Sequence, residues 1–286
     1  MIKDSETNLL YLADCLPDKF PSFFSNFESV LGDLGIGFEL LPGTKDIWAV
    51  DYMPLQIDQE TFVQFTYRPD YLQSQRWQKT ISDGLRIARS LGIQPCKSDI
   101  ILDGGNVVNA GNKVVLCDKI LKENSAFTKK SLLEALTQTL AVEKIILVPQ
   151  QPGDFIGHAD GMLRFVDDKT VLINDLSREK PAYRKMFINA IRQAGLDYIT
   201  MPYNPYMNKS NLDASGIYLN YMQMEQVIVF PVFGMPEDEI ALALMEDLFS
   251  GYQIQTLPCK AIAAHGGILN CISWNVCKVK SPDPIC

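Results

Sequence analysis

One spacing recurs along this chain and limits the folds it can adopt. A polar or small residue leads into a polar turn and then, 11 positions later, into an apolar strand that a helix follows. The spacing occurs from Asp51 to Phe62, from Asp103 to Val114, from Asp160 to Val171 and from Gly216 to Val227. Repeats of about 50 residues are typical of propellers and solenoids. The chain is therefore expected to be built from one repeated unit.

The segments between these positions indicate what each unit contains. A helix follows each return strand, which excludes an all-β blade, so the unit is strand–strand–helix–strand. Helices are predicted at residues 17–35, 72–92, 129–141, 181–194 and 237–250. We therefore predict an α/β fold of five such units around a pseudo-fivefold axis. It forms one domain over residues 1–286, and its fifth unit includes residues 263–273.

Residues that can do chemistry stand at the leading positions of these units. Residues 157–165 are interpreted as a strand, in which His158 and Asp160 would point to the same face because strand side chains alternate. Each unit would present its leading loop at the same end of the axis. The residues expected to meet there in one central cavity are Asp51, Asp103, His158, Asp160 and Cys271.

A cavity with one thiol, one imidazole and three carboxylates suits a guanidinium compound. Carboxylates accept paired N–H bonds from this planar cation, and a cluster of buried carboxylates is costly without one. Cys271 could attack the guanidinium carbon, and His158 could protonate the departing nitrogen and then activate water. The products would be a ureido compound and ammonia, with neither a metal nor an organic cofactor.

The same segments resemble the agmatine deiminase and bacterial-type peptidyl-arginine deiminase family of the guanidine-modifying superfamily. The family's motifs are Trp-x-Arg-Asp, Glu-Gly-Gly-Asn, Gly-His-x-Asp with Arg-Phe, and a Gly-rich segment ending in His-Cys-x-Thr. Their counterparts here are residues 48–51, 103–106, 157–160 with 164–165, and 266–273, in the same order. Tyr218-Leu219-Asn220-Tyr221 also resembles a family segment.

The resemblance implies a five-bladed α/β-propeller with a central active-site cavity. It implies that Cys271 is the nucleophile and that His158 is the general acid and base. The substrate-binding residues that it implies are Asp51, Asp103, Asp160, Trp48, Gly266 and Gly267. Asp103 and Asp160 would also serve in catalysis.

This chain departs from the family pattern at several positions around the pocket. Val50 replaces the usual Arg, and Asp103 is one methylene shorter than the usual Glu, which shifts its oxygens by roughly 1.5 Å. Asn270 replaces the His before the nucleophile. The other departures are His265 for Gly, Ser273 for Thr and Asn275 for Gln. The reacting groups themselves are all present, so the departures bear on the substrate more than on the chemistry.

Composition limits the classes of molecule that the protein could bind and indicates its cellular compartment. A net charge of −8 without a basic cluster argues against nucleic-acid binding and favours a cationic small molecule. Seven scattered cysteines and an N-terminus without a signal-peptide pattern favour reduced thiols in the cytoplasm. No apolar run is long enough to span a membrane. The chain has only two histidines and no CxxC pair, which is too few ligands for a usual zinc site.

The leading function is therefore hydrolysis of agmatine to N-carbamoylputrescine and ammonia through a covalent thiouronium-type intermediate on Cys271. The alternatives are a peptidyl-arginine deiminase, an amidinotransferase that passes the same intermediate to an amine, and a weakly catalytic protein that binds guanidines. Asn106 and Asn220 are expected to fix loop backbones, and His265 to be structural or to line the pocket. A homodimer is left open.

Overall fold

A computed structural model describes residues 1–278 of the chain. The helices are α1 Leu16–Lys19, α2 Pro21–Asp33, α3 Ala49–Tyr52, α4 Gln75–Gln78, α5 Gly84–Ser90, α6 Lys119–Glu123, α7 Lys129–Thr139, α8 Pro181–Gln193, α9 Glu237–Leu248, α10 Lys260–Ala263 and α11 Leu269–Ile272. Short 3₁₀ turns are found at Asp4–Glu6, Asp70–Leu72, Gly104–Asn106, Ala159–Gly161 and Leu176–Arg178. No helix among these residues is both long enough and apolar enough to cross a bilayer.

The strands are β1 Leu9–Ala13, β2 Phe38–Leu41, β3 Leu55–Gln56, β4 Phe62–Thr66, β5 Cys96–Ile101, β6 Val108–Asn109, β7 Lys113–Cys117, β8 Lys144–Val148, β9 Leu163–Phe165, β10 Thr170–Asn174, β11 Asp197–Met201, β12 Met222–Met224, β13 Val227–Val232, β14 Gln253–Pro258 and β15 Trp274–Val276. They form five three-stranded mixed sheets, in the orders β15-β1-β2, β3-β4-β5, β6-β7-β8, β9-β10-β11 and β12-β13-β14. The predicted α/β class is confirmed.

All five sheets share one plan. The central strand pairs antiparallel with the strand before it and parallel with the strand after it. A hairpin makes the antiparallel pair in four sheets, and a helical crossover makes the parallel pair, since parallel strands require a long connection. In the fifth sheet, β15 from one end of the described chain pairs with β1 from the other. The strand–strand–helix–strand unit is thus present in every sheet.

The crossover helices have an apolar face because their large apolar residues recur at helical spacing. In α2, the side chains of Phe23, Phe27 and Leu31 are buried, four positions apart. In α7, Leu132 and Leu136 are buried in the same way. These faces pack with the central strands, which are nearly inaccessible to solvent, so the core lies between each sheet and its helix.

Two predicted helices are interrupted. The helix predicted at residues 72–92 was wrong as a continuous element: only α4 and α5 form, and Trp77 is 44% exposed. Asp83 separates them because its side chain accepts a hydrogen bond from Arg86 N and so begins a new helix. The helix predicted at residues 17–35 is divided at Phe20, directly before the Pro21 that begins α2.

The strand interpretation of residues 157–165 was also wrong at its start. Ala159–Gly161 is a 3₁₀ turn, and the strand begins only at Leu163. Asp103 likewise precedes a 3₁₀ turn, and Asp51 lies within the short helix α3. A single helical turn therefore leads the hairpin in these three units. Asp51, Asp103 and His158, which lie in or directly before these turns, have side chains close together.

The fourth unit does not follow the predicted register. Its hairpin turn is shorter, because Met224 pairs directly with Val227, so strand β12 takes up most of the polar turn expected before Val227. Gly216 consequently is not the counterpart of the leading aspartates. It has φ +87° and lies against the backbone of Asn204, where a side chain would not fit.

Candidate active site

His158 lies between two buried carboxylates. Its Nδ1 atom is 3.4 Å from Asp51 Oδ1, and its Nε2 atom is 3.0 Å from Asp103 Oδ2. Asp51 is contributed by α3, whereas Asp103 and His158 each immediately precede a 3₁₀ turn. Two successive helical turns, close in space, thus hold the imidazole from both sides and fix its orientation.

Close backbone approach makes this arrangement possible. Gly105 N donates a hydrogen bond of 3.1 Å to Asp51 Oδ1. A Cβ atom on Gly105 would lie 2.6 Å from that oxygen and 2.8 Å from His158 Nδ1. On Gly104 it would lie 1.9 Å from the carbonyl oxygen of Val50. The two glycines therefore leave room for groups of the cluster rather than serving only as a turn.

Cys271 faces the same cluster from α11. Its Sγ atom is 3.7 Å from Asp160 Oδ2, and its backbone N donates to Asn220 Oδ1 at 3.2 Å. Asp160 Oδ2 also accepts from Asn220 Nδ2 at 2.9 Å and from Asn270 Nδ2 at 2.7 Å. The structure thus brings together all five residues that were expected to meet.

The two asparagines expected to fix loop backbones differ in their contacts. Asn106 forms hydrogen bonds within its own unit, whereas Asn220 contacts residues of the site. Asn106 accepts a hydrogen bond from Cys117 N at 2.7 Å and stays within its own unit. Asn220 joins Asp160 to the backbone of Cys271. Sequence reasoning missed this role because the repeat spacing pointed to Gly216, whereas the shorter fourth hairpin places Asn220 at the leading position.

Tyr71 was not identified from the sequence as part of the site. Its hydroxyl lies 3.5 Å from Asp103 Oδ2, and its ring meets the His158 ring edge-on at 6.4 Å between centroids. The buried ammonium of Lys119 lies 4.7 Å from the centre of the same ring. Tyr71 lies in the 3₁₀ turn Asp70–Leu72, at the edge of the stretch predicted as a helix, and no repeat position or motif placed it in the cavity.

The charges of the cluster are strongly coupled. Burial alone would lower the pKa of His158, but the Asp51 and Asp103 carboxylates outweigh it and raise the pKa to about 10. Burial raises the pKa of Asp51 to about 7, although the imidazolium opposes this shift. Burial, Asp160 and Asp51 raise the pKa of the Cys271 thiol well above its ordinary value. The free site therefore holds a cationic His158 and a protonated thiol at neutral pH.

This charge state predicts when the thiolate appears. Cys271 in the free protein is expected to ionise only above pH 9, since burial and the neighbouring carboxylates of Asp160 and Asp51 both disfavour the thiolate. The measurement is the thiolate absorbance near 240 nm across a pH titration, taken as the difference between wild type and Cys271→Ser. A difference signal with a midpoint near pH 7 would contradict the expectation.

Two cavities reach Cys271 and His158 from the surface. One, of about 470 Å³, is bordered by Asp160, Asn220 and polar side chains. The other, of about 580 Å³, has aromatic walls that include Trp48, Tyr71, Trp77 and Phe155. Ile156, Leu212 and Gly266 border both cavities. Each volume is sufficient for a small molecule.

The Gly-rich segment supports the wall of the second cavity. A Cβ atom on Gly267 would lie 2.6 Å from Trp48 Cζ3 and 2.9 Å from Cys271 Cβ, so the indole packs directly on this glycine. Gly266 has φ +108° and borders both cavities. His265 is exposed at the edge of the second cavity, where its ring meets Phe20 edge-on.

The remaining departures from the family pattern lie on the other side of Asp160. Val50, Asn270, Ser273 and Asn275 border a small third cavity of about 80 Å³. Ser273 Oγ donates to the carbonyl of Leu269, so it stabilises α11 rather than reaching the thiol. Within residues 1–278, no group of three or more His, Cys, Asp or Glu side chains has the arrangement of a metal site.

Comparison with known protein sequences gives a consistent result. A family model described as Porphyromonas-type peptidyl-arginine deiminase matches residues 28–276 of the 286. A Mycoplasma mycoides protein named "Putative agmatine deiminase" is 24% identical over 234 residues, which cover 69% of this chain and 63% of that protein. The chain thus spans less than two thirds of the length of this relative.

Solved structures give the same result for the fold. Agmatine deiminase of C. jejuni matches with a TM-score of 0.79 and 18% identity, covering 97% of this chain and 95% of that one. Agmatine deiminase of Enterococcus faecalis matches with a TM-score of 0.74 and 16% identity over the same shares. At these identities, the likeness establishes a shared fold.

Proposed function

The chain belongs to the Porphyromonas-type peptidyl-arginine deiminase family, and on this basis we propose that it is an enzyme that deiminates a small guanidino compound. Agmatine is the leading substrate, with N-carbamoylputrescine and ammonia as products. The observation that supports this most directly is a thiol, Cys271, in a buried cluster of three carboxylates and one imidazolium. The names of the related proteins point to the same reaction.

A guanidinium group would complete the hydrogen bonds of the cluster. Asp103 Oδ1 is buried and accepts no hydrogen bond from residues 1–278, although such atoms are costly to leave unpaired. Asp160 borders the first of the two cavities that reach Cys271, and Asp51 borders the second. A planar cation with N–H groups on three sides would pair with all three acids. It would also lower the pKa of the Cys271 thiol, because positive charge favours the thiolate.

The proposed reaction then follows from the charge state of each residue. The Cys271 thiolate attacks the guanidinium carbon, and the His158 imidazolium protonates the departing nitrogen, which leaves as ammonia. The carbon is now joined to sulfur as a thiouronium group. Water attacks this carbon and gives one proton to the neutral His158, after which the C–S bond breaks and the thiolate is regenerated. The proton left on the new hydroxyl group passes to the released ammonia through solvent. In sum, guanidinium and water yield a ureido compound and ammonium.

The borders of the cavities favour an amine tail over an α-carboxylate tail. Among the described residues that border the two cavities, Lys19 is the only lysine or arginine, and its ammonium already donates to the carbonyl of Lys45. The cation of His158 is already paired with Asp51 and Asp103. The aromatic rings of Trp77 and Phe155 at the second cavity are suited to an alkyl chain that ends in a cation. Agmatine has such a tail, whereas free arginine would bring an unpaired carboxylate.

We further propose that the five sheets close into a five-bladed propeller and form one domain over residues 1–286. The pairing of β15 with β1 supports this, because it joins the two ends of the described chain in one sheet. The six described cysteines are all free thiols, which supports a cytoplasmic location, and Cys286 lies outside the described residues. A homodimer also stays a proposal.

The test is ammonia release from agmatine, arginine and a peptidyl-arginine, each with and without an added primary amine. Turnover of agmatine that does not depend on the amine supports the proposed hydrolase. Turnover of the peptide alone would assign the chain to peptidyl-arginine deimination, and formation of a guanidinylated amine would make it a transferase. Thermal stabilisation by agmatine without any turnover would identify a binding protein and refute the enzymatic proposal.

Gly105→Ala gives a steric test of the site. The added methyl group would push Asp51 away from His158, and displacements of about 1 Å cost about 100-fold in rate, so kcat/KM on agmatine is expected to fall by about 100-fold. Gly37→Ala is the matched control, because its Cβ would have no heavy atom within 4 Å. Equal activity of the two variants would contradict the proposed geometry.

A further inference from the structure

A continuous line of polar contacts runs from the N-terminal segment to the nucleophile. Asp4 Oδ2 pairs with Arg164 Nη2 at 2.6 Å. Arg164 Nη1 donates to Asn270 Oδ1 at 2.9 Å, and Asn270 Nδ2 donates to Asp160 Oδ2 at 2.7 Å. That oxygen is the one that faces Cys271 Sγ. Arg164, Asp160 and Cys271 are buried, Asn270 is half-buried, and the side chain of Asp4 is 43% exposed.

The guanidinium of Arg164 is held in place on several sides. Besides Asp4, it donates to the carbonyl oxygen of Tyr221 at 3.3 Å, and its centre lies 4.6 Å from the ring of the same residue. A guanidinium can only donate hydrogen bonds. The Asn270 amide must therefore present its oxygen to Arg164 and its NH₂ group to Asp160. Arg164 thus decides which way the amide faces.

This orientation determines which oxygen of Asp160 is available. Oδ2 accepts two amide N–H bonds, from Asn220 and from Asn270, while Oδ1 accepts none from residues 1–278. Asp160 also borders both the first cavity and the small third cavity, in which Asn270 and Arg164 lie. The amides of Asn220 and Asn270 thus fix the Asp160 carboxylate through Oδ2, and Oδ1 is available to accept a hydrogen bond from a ligand.

We propose that Asn270 and Arg164 are positioning residues for Asp160, with Asp4 as the outer anchor of Arg164. The inference rests on the proposed deimination and extends it by assigning a role to the side of the site away from the substrate. It gives Asn270, which departs from the family pattern, the task of holding Asp160 at the correct angle to Cys271 and to the guanidinium.

The experiment compares Asn270→Ala and Asn270→Asp with Asn275→Ala as the matched control. Asn275 borders the same small cavity but donates to the carbonyl of Gln223 instead of Asp160. Loss of the positioning bond is expected to lower kcat/KM on agmatine by about 100-fold in Asn270→Ala. The control is expected to stay within about 3-fold of wild type, because it leaves Asp160 in place.

Asn270→Asp supplies a readout that a merely structural role would not change. The new carboxylate would repel Asp160 at neutral pH, but its protonated form can again donate to Oδ2. Asp160 would raise and Arg164 would lower the pKa of the new carboxyl, so the activity of the variant relative to wild type is expected to rise as the pH approaches the ordinary range for an aspartate, about 4. A pH-independent ratio would overturn the proposal.

A double-mutant cycle tests whether Asp4 acts through Asn270. Asp4→Asn is expected to lower activity about 5-fold in wild type and to have no effect in Asn270→Ala, because the amide that it orients is gone. Equal effects in both backgrounds would overturn the assignment of Asp4 as the outer anchor. Agmatine affinity, measured by calorimetry on Cys271→Ala with and without Asn270→Ala, separates the two proposals. No binding to the parent refutes the proposed function, whereas equal binding to both refutes the positioning role.

Discussion

Replacing Cys271 by serine is expected to reduce agmatine turnover by at least about 10⁴-fold, because the Cys271 thiolate is the proposed nucleophile of the covalent step. A serine hydroxyl keeps the size of the side chain but is far harder to ionise than a thiol. Burial and the adjacent Asp160 carboxylate would disfavour its anion further. The measurement is ammonia release at saturating agmatine, with calorimetric binding to show that the site is still formed.

Cys96→Ser is the matched control for this substitution. Cys96 is exposed at the start of β5, so its replacement is expected to leave turnover unchanged. If Cys271→Ser retained more than about a tenth of the wild-type rate, hydrolysis would not pass through this sulfur. If both variants lost activity equally, the effect would come from general thiol loss and not from the nucleophile.

Much of the fold could be predicted because its units repeat. The return strands were expected 11 positions after each leading residue, and β4 and β13 begin at Phe62 and Val227, as predicted. Repetition helped again at the site, since equivalent positions in successive units predicted that Asp51, Asp103 and Asp160 would be close together. The spacing along the chain thus contained information about distances across the molecule.

The wrong predictions lie at turns, where the local backbone structure differs from what the repeat pattern predicts. The turns before the hairpins of three units are helical, which alternation of apolar residues over a few positions cannot reveal. In the fourth unit, a shorter hairpin moved the functional position from Gly216 to Asn220. Tyr71 was missed because it lies in the 3₁₀ turn Asp70–Leu72, which no repeat position or motif marks. Each error concerned a turn, where one side chain decides the backbone.

The charged groups that would bind a guanidinium in this site are also those that set the protonation state of Cys271. Without a ligand, the His158 cation is the counter-charge of Asp51 and Asp103, and the Cys271 thiol keeps its proton. A guanidinium brings a second positive charge into the cluster, which stabilises the thiolate. In the proposed reaction, Cys271 would therefore be activated mainly when the guanidino compound is bound. This coupling makes His158 important to both steps of the reaction.

His158→Asn is expected to lower kcat on agmatine by about 10³-fold, within the range for loss of a general acid and base. The departing nitrogen would lose its proton donor, and water would lose its base in the second step. Asp51 and Asp103 would also face each other without the intervening cation, so the site would hold a guanidinium while failing to turn it over. KM is therefore expected to change much less than kcat.

His265→Asn is the control, because it removes the other histidine of the chain, which lies at the edge of the second cavity. It is expected to lower kcat by less than about 10-fold, because that ring is exposed. If the two histidine variants lost similar activity, or if His158→Asn raised KM and left kcat intact, the acid–base role of His158 would be refuted.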